Sequence, residues 1–166
     1  MTKIIKPDAL SKTLKNALKV LKGVGEKQAN FAYRYAGIKL FSTVIVASPV
    51  DTGRFRASWL ITTGTPAEGT RSVGQKSKGD AYVLGKFPKN ALNAGKIFMT
   101  NNLPYAQVLE FGKYPSPVKR GTYIGKGKYE IKSSGGFSKL APTGMVRVNA
   151  MRFRGWLKKG VRLAPK

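Results

Sequence analysis

Seven carboxylates carry all the side-chain acid chemistry of this chain: Asp8, Glu26, Asp51, Glu68, Asp80, Glu110 and Glu130. They are dispersed, with no close pair of the kind that hydrolyses a glycosidic bond or clamps two metal ions. Cysteine and histidine are both absent. That removes disulfides, thiol nucleophiles, structural zinc sites and the serine–histidine–aspartate triad. Gly69, Gly74 and Gly79 match neither the P-loop nor the dinucleotide-binding spacing. The inventory therefore argues against an enzyme, and no metal or organic cofactor is expected.

The chemistry that the chain does have in quantity is cationic. Lysine and arginine number 31 against the seven acids, a formal net charge of +24. Charge of this size repels itself on compaction and calls for an anionic partner. The cations are spread along the chain, with six in residues 1–24, seven in 113–139 and seven in 147–166. Nucleic acid is the generic partner for such a balance, held through phosphate contacts that weaken steeply with salt. Acidic faces of neighbouring proteins satisfy the same requirement.

The elements that must position these groups follow from periodicity. At 166 residues, with 42% hydrophobic content, the chain suits one folded domain. Residues 1–24 read as a basic N-terminal arm and helix, and 25–166 as a single domain with loop insertions at about 64–80 and 113–141. No apolar run reaches the ~20 residues of a membrane helix. Residues 1–22 carry lysines throughout and lack the apolar core of a signal peptide, so a cytoplasmic origin is expected.

Leu10, Leu14, Leu18 and Leu21 form one stripe of a first helix, which could pack on its own domain or on a neighbouring subunit. A break at Gly23-Val24-Gly25 precedes a second helix from Glu26 to Ala47, apolar around more than half its circumference and expected to hold its aromatics in the core. Pro49 ends it, because proline lacks an amide hydrogen and pushes Ser48 out of the helical region. Asp51-Thr52-Gly53 then turns the chain. Phe55, Ala57 and Trp59 alternate with Arg54, Arg56 and Ser58, which predicts a strand over Arg56–Thr63. Lys96–Asn101 predicts a second strand. Residues 81–94 remain open between a short helix and irregular cover. Pro104 opens a short helix, Tyr105–Phe111, closed by Gly112. Residues 122–125 and 128–132 pair as a hairpin around Gly125-Lys126-Gly127. The alternation of Met145-Val-Arg-Val148 also fits a strand. The expected fold is α+β: a long central helix and a C-terminal helix on an antiparallel sheet of about four strands, with long basic loops.

Three pieces of this chain resemble one family. Ala47-Ser-Pro-Val-Asp-Thr-Gly-Arg-Phe-Arg-Ala-Ser-Trp59 is similar to the signature of the neck or tail-completion (minor tail protein Z-like) proteins of long-tailed double-stranded-DNA bacteriophages. Thr100-Asn-Asn-Leu-Pro-Tyr-Ala-Gln-Val-Leu-Glu-Phe-Gly112 resembles a second segment of that family. Ala141-Pro-Thr-Gly-Met-Val-Arg-Val-Asn149 resembles the Ala-Pro-x-Gly that leads into its last helix. The matched positions are Pro49, Asp51, Thr52, Gly53, Arg54, Ser58, Trp59, Asn101, Tyr105, Ala106, Glu110, Gly112, Pro142 and Gly144. All of these are expected to be structural, with Glu110 capping a helix or pairing with an arginine.

The resemblance implies a tail-terminator-like fold and a C-terminal helix over Thr143–Lys159. It implies a virion protein that forms a ring, most simply a hexamer, at the head–tail junction. The partners would be other copies of itself, portal or head-closure proteins and tail-terminator or tail-tube proteins. Double-stranded DNA would pass through with non-specific contacts, and no membrane is involved. A tail-terminator ring, or a non-viral basic protein of ribosomal or nucleoid type, are the alternatives. Candidate contacts to DNA or to a neighbouring ring are Lys119, Arg120, Lys126, Lys128, Lys132, Arg152, Arg154, Lys158 and Lys159. Arg147 and Arg162 are expected with the last four on the cationic face of the C-terminal helix.

Overall fold

A computed structural model describes residues 7–70, 84–119 and 121–166. The N-terminal six residues, 71–83 and Arg120 lie outside it, so the expectations for the extended arm, most of the 64–80 loop and an Arg120 contact fall outside the described residues. The order is α1 (Pro7–Leu18), a 3₁₀ turn (Lys19–Leu21), α2 (Glu26–Ala47), α3 (Arg54–Ala57), β1 (Leu60–Thr63), β2 (Ile97–Thr100) and α4 (Ala106–Phe111). There follow β3 (Thr122–Gly125), β4 (Lys128–Glu130), β5 (Ser133–Ser134), β6 (Phe137–Ser138), α5 (Val146–Ala150) and α6 (Phe153–Leu163). The fold is a mixed α+β one. Among the described residues, no helix is long and apolar enough to cross a membrane.

The organising contact is α2 against α6. Ala29, Ala32 and Ala36 of α2 are buried, as is Gly160 of α6. A Cβ on Gly160 would stand 2.7 Å from Ala32 Cα, so the helices cross at a distance only glycine permits. Ala17 of α1, Ala36, Phe153 and Leu157 form one small core here. The larger core lies at the C-terminal half of α2, where Val44 and Ile45 meet Phe55, Trp59, Ile61, Phe87, Leu103, Leu109 and Met145. Tyr33 and Leu40 border both cores, which makes α2 the common wall. Burial raises the Tyr33 hydroxyl above the ordinary tyrosine pKa.

Four expectations are corrected. The strands do not form one sheet of about four: among the described residues there are three separate antiparallel pairs, β1–β2, β3–β4 and β5–β6. The strands run only two to four residues. The helices cover the core instead of a continuous sheet face. The strand expected from Arg56 begins at Leu60, because Arg54–Ala57 takes a helical turn. Gly53, at φ 82°, swings the chain into that turn, and the Ser58 hydroxyl donates to the Arg54 carbonyl at 2.7 Å to close it. Phe55 and Trp59 are then buried together at the i, i+4 spacing of a helix.

The C-terminal helix is not continuous from Thr143. It begins at Val146 and breaks at Met151-Arg152 before α6. Gly144, at φ 78°, cannot be helical, and the Asn149 side chain donates back to the Met145 carbonyl at 2.8 Å across the short first piece. Met151, at that break, is 57% exposed. Finally, the aromatics of α2 are not all core residues. Phe31 is 38% exposed, because it sits opposite the alanine face that α6 covers.

Other elements lie where expected. α2 spans Glu26–Ala47 and ends at extended Ser48. The β1–β2 register runs from Leu60 opposite Thr100 to Thr63 opposite Ile97. β3 and β4 join through Lys126 and Gly127, both at positive φ (50° and 70°), as a tight hairpin turn requires.

Candidate assembly node and interaction surfaces

Glu110 is the densest polar centre among the described residues. The residue is 8% exposed, and its carboxylate accepts the backbone amides of Met145 (2.7 Å), Val146 (2.9 Å) and Arg147 (3.0 Å). Arg147 Nε adds a charged bond at 3.0 Å, and its Nη2 donates to the Glu110 carbonyl. The guanidinium also lies 4.8 Å from the centre of the Phe111 ring. Three first-turn amides of α5, which have no partner within their helix, are thus satisfied by one carboxylate from α4. Gly144 makes the approach possible, since a Cβ there would sit 2.5 Å from the Glu110 carbonyl oxygen. Arg147 is therefore not on a cationic surface: it is 5% exposed and paired. With two donors on each of its oxygens, the carboxylate ties α4 to the start of α5.

The turn after α2 is built just as closely. Trp59 Nε1 donates to Ser48 Oγ at 2.8 Å, and Ser48 Oγ donates to the Val44 carbonyl at 2.8 Å. Arg56 Nη2 donates to the carbonyls of Val46 (2.8 Å) and Ser48 (3.1 Å), covering the end of the helix. The Arg54 amide meets Thr52 Oγ1 at 3.4 Å. Asn101 Nδ2 donates to the Phe55 carbonyl at 2.9 Å, and Met145 Sδ lies 3.4 Å from Ser48 Oγ. The three segments 47–59, 100–112 and 141–149, far apart in sequence, therefore touch pairwise. Tyr105 packs its ring against Phe55 (5.9 Å between centres), Ala106 caps the turn through the Leu103 carbonyl, and Gly112 takes φ 69° at the end of α4. Pro49 is half-buried and Pro142 exposed.

Beside this node opens a cleft of about 800 Å³, walled by Val50, Phe55, Tyr105, Leu109 and Leu140 with Lys119 and Lys132 on its rim. Lys132 is tied to Asp51 at 2.6 Å, which raises the ammonium above the ordinary lysine pKa. Burial, helped by nearby Tyr105 and Asp51, raises the Tyr114 hydroxyl too. Beyond the cleft projects the β3–β4 hairpin, with Lys126 and Lys128 exposed and the rings of Tyr123 and Tyr129 in tilted contact, 5.4 Å between centres and each residue more than half exposed.

The remaining candidates separate into two places. Arg154, Lys158 and Lys159 are exposed along α6 and Arg152 at its N-cap, remote in sequence from the hairpin's Lys126 and Lys128. Arg154, Lys158 and Arg162 recur every four residues, one cationic stripe. Sequence reasoning missed the structural role of Arg147 and of Arg56. Their only signal was position: Arg147 stands three residues after a glycine that must take a left-handed conformation. Among the described residues, no group of three acidic side chains is placed to hold a metal ion. Neither a family model, nor a curated protein, nor a solved structure matches the chain.

Proposed function

We propose that this chain is a structural subunit of the neck of a long-tailed double-stranded-DNA bacteriophage, forming a ring that completes or joins the tail to the head and lets DNA pass. The observation that carries this reading is the convergence of the three segments resembling the neck family. Asn101 bonds the Phe55 carbonyl, Glu110 bonds the 145–147 amides, and Met145 lies against Ser48. The residues of that resemblance are spent on building a rigid node, as a scaffold protein requires, and not on a reactive centre. The surfaces left over are those of assembly: a projecting hairpin, an apolar-walled cleft and a cationic helix.

Copies of the chain, the portal-side and tail-side rings and the DNA in transit are the partners in this reading, and the tail-terminator position is the alternative within the same particle. The test is an early stop codon in the gene, with lysates viewed by electron microscopy. Unjoined heads and tails, restored by supplying the chain in trans, are expected. Complete infectious particles from the mutant would overturn the proposal.

A further inference from the structure

The face of α2 turned away from α6 is a built groove that no motif in the chain points to. Lys27, Phe31, Arg34 and Tyr35 recur at helical spacing on that face. Two adjoining hollows share Phe31 and Arg34. The larger, about 570 Å³, is lined by Lys27, Arg34, Lys89 and Lys166 with no Asp or Glu side chain among the described residues, and the smaller is flanked by Tyr35. The cations are brought there by dedicated bonds. Asn30 donates to the Lys89 carbonyl at 3.0 Å and accepts the Leu92 amide at 3.0 Å, fastening the 89–92 loop to α2. Gln28 Nε2 donates to the Pro165 carbonyl at 3.4 Å and brings Lys166 to the opposite rim. Arg34 Nε is shielded from solvent and has no hydrogen-bond partner among the described residues. Glu26, the nearest acid in sequence, is occupied by Asn93 Nδ2 at 3.0 Å. Four side-chain cations around a hollow without an acidic side chain among the described residues repel one another, and the fold holds them there nonetheless.

We propose that this groove binds single-stranded nucleic acid, with backbone phosphates held by Lys27, Arg34 and Lys89 and a base resting on Phe31. Phosphate is the anion that several convergent cations and an arginine fork hold well. An aromatic ring left 38% exposed between them adds a platform that an unpaired base can use and a stacked duplex does not offer. The inference concerns the purified chain and stands apart from its place in a virion.

The experiment is fluorescence anisotropy with a labelled oligothymidylate and with a labelled duplex. K27Q/R34Q/K89Q is compared with K12Q/K15Q/K19Q, which removes the same charge from exposed positions of α1 and the 3₁₀ turn that follows it. The groove variant is expected to lose at least ten-fold more affinity for the single strand than the α1 variant. Its log-affinity against log-salt slope should become shallower by roughly 2, for three lost contacts on a single strand. F31A should weaken the single strand by about five-fold or more, the range of one stacked base, while duplex affinity stays within two-fold. Equal losses from the two triple variants would show general charge attraction and overturn the proposal, as would F31A leaving the single strand unaffected or weakening both probes alike. Melting curves check folding, and K27Q/K89Q repeats the test with Arg34 intact.

Discussion

Replacing Glu110 by Gln is the sharpest test of the node, because it changes charge and hydrogen-bond polarity while keeping shape. In the native chain Oε2 accepts the Met145 and Val146 amides, and Oε1 accepts the amide and Nε of Arg147. A glutamine amide has one acceptor oxygen and one NH₂ donor. Whichever way it turns, two N–H donors face an NH₂ group, and each buried donor left unpaired costs about 1–3 kcal/mol. Arg147, only 5% exposed, also loses its counter-charge, and breaking a buried pair from one side costs about 3–5 kcal/mol in total. These costs overlap, so about 4 kcal/mol is expected. For a chain of this length that lowers Tm by roughly 8–16 °C.

The assay is guanidinium unfolding followed by the fluorescence of buried Trp59 and half-buried Trp156, supported by a thermal melt. The cycle with Arg147→Met sharpens it. Removing both partners should cost clearly less than the sum of the single changes, with a coupling of about 1–3 kcal/mol. A Glu110→Gln chain within 1 kcal/mol of wild type, or strictly additive costs, would refute the view that this pair joins α4 to α5.

Three further outcomes are expected. Gly160→Ala ordinarily strengthens a helix by about 1 kcal/mol, yet here the new methyl meets Ala32 Cα at 2.7 Å, so a net loss of stability in denaturant unfolding is expected. Lys132 is raised by its bond to Asp51, so its charged form persists above the usual lysine range and the tether is lost only as pH rises through that raised value. In an NMR titration of the lysine Cε signals, Asp51→Asn should therefore move the Lys132 midpoint downward, and an unmoved midpoint would deny the tether. Lys126 and Lys128 are exposed on the hairpin and free of Lys132's acidic partner. Under the neck reading, K126E/K128E should lower infectivity while particles still assemble, measured by plaque titre against particle counts.

The long helix, its stop at Pro49 and the short helix closed by Gly112 could be read from the chain because their causes are local. A proline without an amide hydrogen and a glycine at positive φ act on their immediate neighbours, whatever packs nearby. The hairpin through Lys126-Gly127 was legible for the same reason. The Arg54–Ala57 turn was not, since Phe55 and Trp59 stand four residues apart, a spacing that suits strand and helix alike, and Gly53's left-handed φ of 82° decided between them.

The partner of Glu110 could be named only as one of many arginines. Which one was settled when Gly144 let α4 approach within a distance that any side chain would forbid, turning Arg147 from an apparent surface charge into a buried one. The sheet failed for a related reason: strand propensity is visible residue by residue, but pairing is not, and here the helices had already covered the core. The amino-acid types alone thus determined what chemistry is missing and where the chain must bend. Which cations are consumed inside the fold, and which remain exposed on α2, the hairpin and α6, was decided only by long-range packing.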